Sequence, residues 1–192
     1  HPFVSINPFK EANDLFTGSD RNYTNGVALT AVSRDLQGGL RPECLPQPIG
    51  LYARFIGWAD PGFWRDYGAQ TSSQNLVVRF GQSMYTPEKK TRTDVIPDDR
   101  PYAGLLYLGL AWNRRIHPQA ASYEMLDVRE LTLGVIGPWS LAEQSQDLVH
   151  RTRGIERFRG WDNQLRNEPA FQMAMERKFK PYTEGAVRPG WG

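Results

Sequence analysis

Apolar and polar positions alternate with a period of two along several stretches of this chain. Over 76–85, Leu76, Val78, Phe80 and Met84 share one side, and Arg79, Gly81 and Ser83 share the other. Over 102–112 one side reads Tyr102, Gly104, Leu106, Leu108, Leu110, Trp112, with aromatics bracketing an aliphatic middle; the other is small or mixed. Over 123–137, Met125, Leu131, Leu133 and Val135 oppose Glu124, Glu130, Thr132 and Gly134. Over 170–179, Phe171, Met173, Met175 and Phe179 oppose Gln172, Ala174, Glu176 and Lys178. A period of two is the mark of a strand with two unlike faces. Two further strands are expected at 24–33, with Val27, Leu29 and Ala31 on one side, and within 3–16, where Val4 and Ile6 precede Pro8. The irregular, aromatic stretch 34–73 reads as a packed loop, with room for a short helix.

Six strands running up and down in chain order would bring the loops 13–24, 85–102 and 138–167 to one end. Those loops are richest in residues capable of chemistry, and converging loops are how a rigid sheet builds a site. Strands of about 9–12 residues exceed the usual soluble length of about 5–6 and approach the 9–11 that cross a bilayer. Aromatics at strand ends match the girdles of outer-membrane barrels. A soluble sandwich or lipocalin-like barrel with one buried face accounts for the alternation equally well.

One stretch breaks the pattern. In Gly134–Glu156 a strand ends at Gly137-Pro138 and a helix follows, opened by the capping box Ser140-Leu141-Ala142-Glu143. Gln146 and His150 form an i, i+4 pair with Glu143 one turn earlier, and Gly154 ends the helix. This helix is too polar for core and reads as a catalytic helix.

Composition narrows the options. A chain of 192 residues suits one domain, and a net charge of +2 is not that of a strongly basic nucleic-acid binder. No apolar run approaches the roughly 18 residues of a membrane helix, which leaves a β-barrel open. Cys44 is the single cysteine, so neither an intrachain disulfide nor a cysteine metal cluster is available. No Gly-x-Ser-x-Gly elbow signals a serine nucleophile.

The chemical candidates follow. A helical histidine is more often structural than catalytic. Gln146, Glu143 and Glu156 near His150 favour a general base, given a carboxylate to hold the other ring nitrogen. Asn13-Asp14 is either a turn or cap, or, with Glu156 and backbone carbonyls, part of an oxygen-ligated calcium site. Lys89, Lys90, Arg92, Arg100, Arg151, Arg153, Arg157 and Arg159 gather at the same end. They are either ordinary solvated charge or a cationic rim for phosphates.

The segments Ala12-Asn13-Asp14-Leu15-Phe16, Asp20 to Gly26, Gly81 to Pro87, Asp98 to Gly104, Leu133 to His150 and Gly160 to Gln164 resemble the outer-membrane lipid A 3′-O-deacylases. The resemblance implies an antiparallel up-and-down transmembrane β-barrel of twelve strands, about six of them here. This chain, 1–192, would form a single barrel domain lacking the family's C-terminal strands. It implies a calcium-dependent ester hydrolase of the bacterial outer membrane that releases the 3′-linked acyloxyacyl group of lipopolysaccharide, with lipid A and the outer leaflet as partners. Carried over by residue, it makes His150 the base and Asp14 its charge partner or a neighbour of the metal. Asn13 joins the polar shell, and Thr24 and Gln146 line the site. Asn13, Asp14, Gly154 and Glu156 hold calcium. Lys89, Arg92, Arg100 and Arg151 meet the substrate. The alternatives are a non-catalytic outer-membrane lipid-binding or structural barrel and an outer-membrane phospholipase.

Overall fold

The computed structural model describes residues 5–7, 25–37, 45–65, 71–89, 91–118, 121–154 and 156–181. Asn13, Asp14 and Thr24, together with Lys90 and Cys44, lie outside them. Among the described residues one antiparallel sheet dominates. Its strands are β1 (Ser5–Asn7), β2 (Asn25–Val32), β3 (Leu36–Gln37), β4 (Thr71–Tyr85), β5 (Ala103–His117), β6 (Tyr123–Ile136) and β7 (Glu168–Pro181). The order is β1-β2-β4-β5-β6-β7, with the short β3 also paired to β4. Every pairing is antiparallel and every long neighbour in the sheet follows in sequence, the meander expected from the alternation.

The long strands run 14–15 residues; β6 matches the sequence pattern, and β4, β5 and β7 run further than it reached. Their extra residues are polar, such as Gln74, Asn75, Asn113 and Arg114, and are paired across strands through Asn75 with Asn113 and Gln74 with Arg114. Ladder hydrogen bonds and cross-strand contacts hold these ends where hydrophobic alternation stops.

Register puts chemistry on faces. Leu29, Phe80, Leu108, Leu133 and Phe171 lie side by side across five strands. Their exposures are 49%, 49%, 53%, 52% and 66%. In water this row would forgo about 1 kcal/mol per residue of unrealised burial, a large sum against a domain stability of roughly 5–15 kcal/mol. The opposite face carries Arg79, Glu130, Thr132, Gln172, Glu176 and Lys178 around a polar cleft of about 550 Å³, with Arg79 and Glu130 paired at 2.9 Å. Apolar outside and polar inside is the pattern of a membrane barrel wall. Among the described residues no helix is long and apolar enough to cross a membrane.

Two helices sit on the apolar face at opposite ends. The first, α1 (Gln47–Ala59), followed by a 3-10 turn at Pro61–Trp64, occupies the stretch read as a packed loop. Tyr52, Ala53, Ile56 and Phe63 bury against Leu76 and Trp112. Asp60 accepts two hydrogen bonds from the Arg129 guanidinium, which also lies 5.0 Å over the Phe63 ring. The second, α2 (Ala142–Arg153), lies at the other end.

Candidate functional site

The site is built by the connection between β6 and β7. Its first turn, Pro138–Ser140, departs from the expected capping box. Ser140 Oγ donates to the Gly137 carbonyl at 2.6 Å rather than capping a helix. The residue before α2 is Leu141, in the left-handed region at φ 58° with no side-chain cap. The Gln82 amide donates to the Ser140 carbonyl at 2.5 Å, which fastens this corner to the apolar face of β4. Gly104 makes the contact possible: a Cβ there would stand 2.0 Å from Ser140 Oγ and 2.3 Å from Ala142 Cβ. Met84, Tyr102, Ala142, Phe158 and Trp161 form the core beneath the helix.

At the far end Gly154 adopts φ 65°, and its N–H closes the last turn onto the His150 carbonyl, as expected. The chain then turns back, so that Glu156 and Phe158 return to His150. The imidazole packs at 5.5 Å from the Phe158 ring, and its Nδ1 lies 2.6 Å from the Glu156 carbonyl oxygen. A carbonyl can only accept, so Nδ1 carries the proton and, in the neutral ring, Nε2 holds the lone pair. Among the described residues a backbone carbonyl does this orienting; Asp14, the expected charge partner, lies outside them. One turn back, Gln146 is buried, and its Oε1 accepts from Trp161 Nε1 at 2.8 Å. Trp161 and Phe158 were given no role by sequence reasoning. They stand on a loop without periodicity, and only the Gly160–Gln164 segment marked the region.

Three arginines of the cationic rim meet carboxylates. Arg92 pairs with Asp94, holding that carboxyl down at about 2. Arg151 and Arg157 approach Asp147 at 3.3 and 3.5 Å, and Arg100 donates to the Thr86 carbonyl. Lys89 is exposed. Burial, then the nearby Asp147 and Asp162, pushes the Glu143 carboxyl up. The structure thus brings Gln146, His150, Gly154 and Glu156 to one helix end. No cluster of three or more His, Cys, Asp or Glu able to hold a metal occurs among the described residues. Among the described residues, that end offers a hard cation the Glu156 carboxylate, the Gly154 carbonyl and the negative pole of the α2 dipole, oxygen donors of the kind calcium takes but fewer than the roughly six to eight it binds. Exposed Trp139 and Leu141 lie at the other, N-terminal end of α2, and exposed Leu148 lies along the helix between the two ends.

A meandering wall with apolar rows outside, polar residues inside, and an imidazole-bearing helix clamped on the apolar face belongs to the outer-membrane β-barrel class. A family model described as "Outer membrane protein LpxR" matches residues 4–191, and the chain belongs to that family, which places it in the bacterial outer membrane. The solved structure of LpxR from Salmonella typhimurium is similar, with a TM-score of 0.53 and 20% identity. The match takes in 83% of this chain and 41% of that one, so this chain spans less than half of that structure. At that identity the likeness speaks for the fold. No curated relative matches the sequence.

Proposed function

We propose that this chain carries the hydrolytic site of a lipid A 3′-O-deacylase, with His150 as general base. The observation supporting this most is the 2.6 Å approach of Nδ1 to the Glu156 carbonyl, which leaves Nε2 ready to accept a proton. Family membership and the position of the helix on the lipid-facing wall supply the substrate class. An ester embedded in a membrane would meet α2 from the side, where Trp139, Leu141 and Leu148 expose apolar surface along the helix.

The steps follow from these residues. Nε2 takes a proton from water, and the resulting hydroxide attacks the ester carbonyl carbon. The bond to the sugar 3′ oxygen then breaks, and the imidazolium returns its proton to that oxygen. The products are the free acyloxyacyl acid and a 3′ hydroxyl. Trp161 holds Gln146, and Phe158 holds the imidazole ring, so the base is oriented before substrate arrives. Thr24 would line the site with Gln146. Asn13, Asp14, Gly154 and Glu156 would hold calcium, which when bound would stabilise negative charge on the carbonyl oxygen. Lys89, Arg92, Arg100 and Arg151 would meet the lipid A phosphates; Arg92 and Arg151 would first exchange their surface carboxylates, a small cost for exposed pairs.

The test is to incubate the intact protein with lipid A in heavy-oxygen water and analyse the products by mass spectrometry. The expected result is loss of the 3′ acyloxyacyl group, with the label in the released acid and none in the lipid. No release would make the protein a non-catalytic lipid-binding barrel. Release from glycerophospholipid alone would make it a phospholipase. Chelator should abolish turnover and added calcium restore it; turnover indifferent to chelator removes the ion.

A further inference from the structure

The two helices bracket the apolar wall. Gly104 under α2 and Trp112 under α1 lie on the same face of β5, eight residues apart. At about 3.4 Å per residue and a tilt near 40° that is roughly 20 Å along the membrane normal, close to the roughly 25 Å apolar band of a barrel. The short β5–β6 connection and the long one between β3 and β4 that carries α1 lie at one end, and the long connections 86–102 and 137–167 lie at the α2 end. The orientation rests on the proposed function: with the α2 end acting on lipid A in the outer leaflet, α1 meets the inner leaflet.

The surface of α1 is not that of a water-facing helix. Its buried stripe is Tyr52, Ala53 and Ile56. Its exposed stripe includes Leu51 at 63% and Trp58 at 80%, with Arg54 between them. A helix at a water boundary would carry polar residues there. Between α1 and the wall runs a groove of about 310 Å³, lined by Leu51, Tyr52 and Phe55 on one side and Leu108, Leu131 and Leu133 on the other. Leu108 and Leu133 belong to the exposed row, so the groove opens directly onto the lipid-facing wall.

We propose that this groove holds one acyl chain of a phospholipid of the periplasmic leaflet, with α1 lying in the membrane interface as a foot for the barrel. The groove is apolar and continuous with the wall that lipid already covers. Trp58 stands at the helix end, where an amphipathic ring takes up headgroup level. Arg54 would reach out of the same stripe to water and phosphate.

Fluorescence quenching tests this on the intact protein in phosphatidylcholine vesicles. Cys44→Ser removes the native thiol, and Leu51→Cys carries an environment-sensitive fluorophore. Leu29→Cys, on the same apolar row but on β2, reports insertion of the wall. Lipids brominated at positions spanning the acyl chain should quench the label at 51 at least twofold, as they quench that at 29, while aqueous iodide leaves both bright. Quenching at 29 by bromolipid but at 51 by iodide would place α1 in water and overturn the proposal. Protection of 51 from both quenchers would mean protein covers it, with the same consequence, and absence of bromolipid quenching at both positions would remove the bilayer itself. Should Leu51→Cys fail to insert, Trp58→Cys gives the same readout.

Discussion

At the scale of single residues, the direction of one proton governs His150. Because the Glu156 carbonyl fixes it on Nδ1, the reactive nitrogen is the one left over. The histidine and its i, i+4 partner Gln146 were legible in the sequence, since helical spacing alone stacks them. The holders were not: a backbone carbonyl has no residue signature, and Phe158 and Trp161 reach the helix only because the chain doubles back after Gly154. Asn13, Asp14 and Thr24 rest on the family resemblance alone. A second residue allows a sign to be worked out. The Glu143 carboxyl is pushed up by burial and by Asp147 and Asp162. An acid whose pKa rises on folding stabilises the fold most when protonated, and that contribution is lost as pH rises through its folded pKa. Glu143→Gln should therefore raise the thermal midpoint slightly at neutral pH, and the gain should vanish below about pH 4, where the wild-type carboxyl is protonated in both states. A gain unchanged across that range would contradict the assignment.

At the scale of elements, the strands were legible, and α1 only as room for a short helix in a packed loop. Alternation survives in sequence because each strand separates lipid from lumen. The segment Gln47–Ala59 carries a helical stripe of Ile49, Tyr52, Ala53 and Ile56, but Pro48, Gly50 and Gly57 are poor helix formers and the exposed apolar Leu51 and Trp58 blur the stripe. Burial against Leu76 and Trp112 makes it helical. The expected Ser140 cap failed for a related reason: the serine hydroxyl is spent on Gly137, and Leu141 takes the strained position. The docking of α2 depends on the bare backbone at Gly104. Gly104→Leu should lift the helix from the wall, at an overpacking cost of at least about 1–3 kcal/mol, and abolish deacylation while the β-sheet circular dichroism persists. Retained turnover would show that the helix acts without its seat.

At the scale of the whole molecule, two helical clamps on one apolar wall divide the work. The α2 end is the proposed reaction site and the α1 end a proposed membrane foot. The foot is fixed electrostatically. Arg129 is 6% exposed and bonded to Asp60. Arg129→Ala should leave that carboxylate unpaired and destabilise the α1 end by about 3 kcal/mol, read as a lower thermal midpoint and faster proteolysis within 45–65. A midpoint within error of wild type would show that apolar packing alone holds α1. The central claim is that His150 acts as the base for ester hydrolysis, and it is tested most directly by His150→Gln, which keeps a polar side chain on the helix. The account predicts that this variant inserts and folds as wild type yet releases no acyloxyacyl acid from lipid A by mass spectrometry; release at the wild-type rate would contradict it.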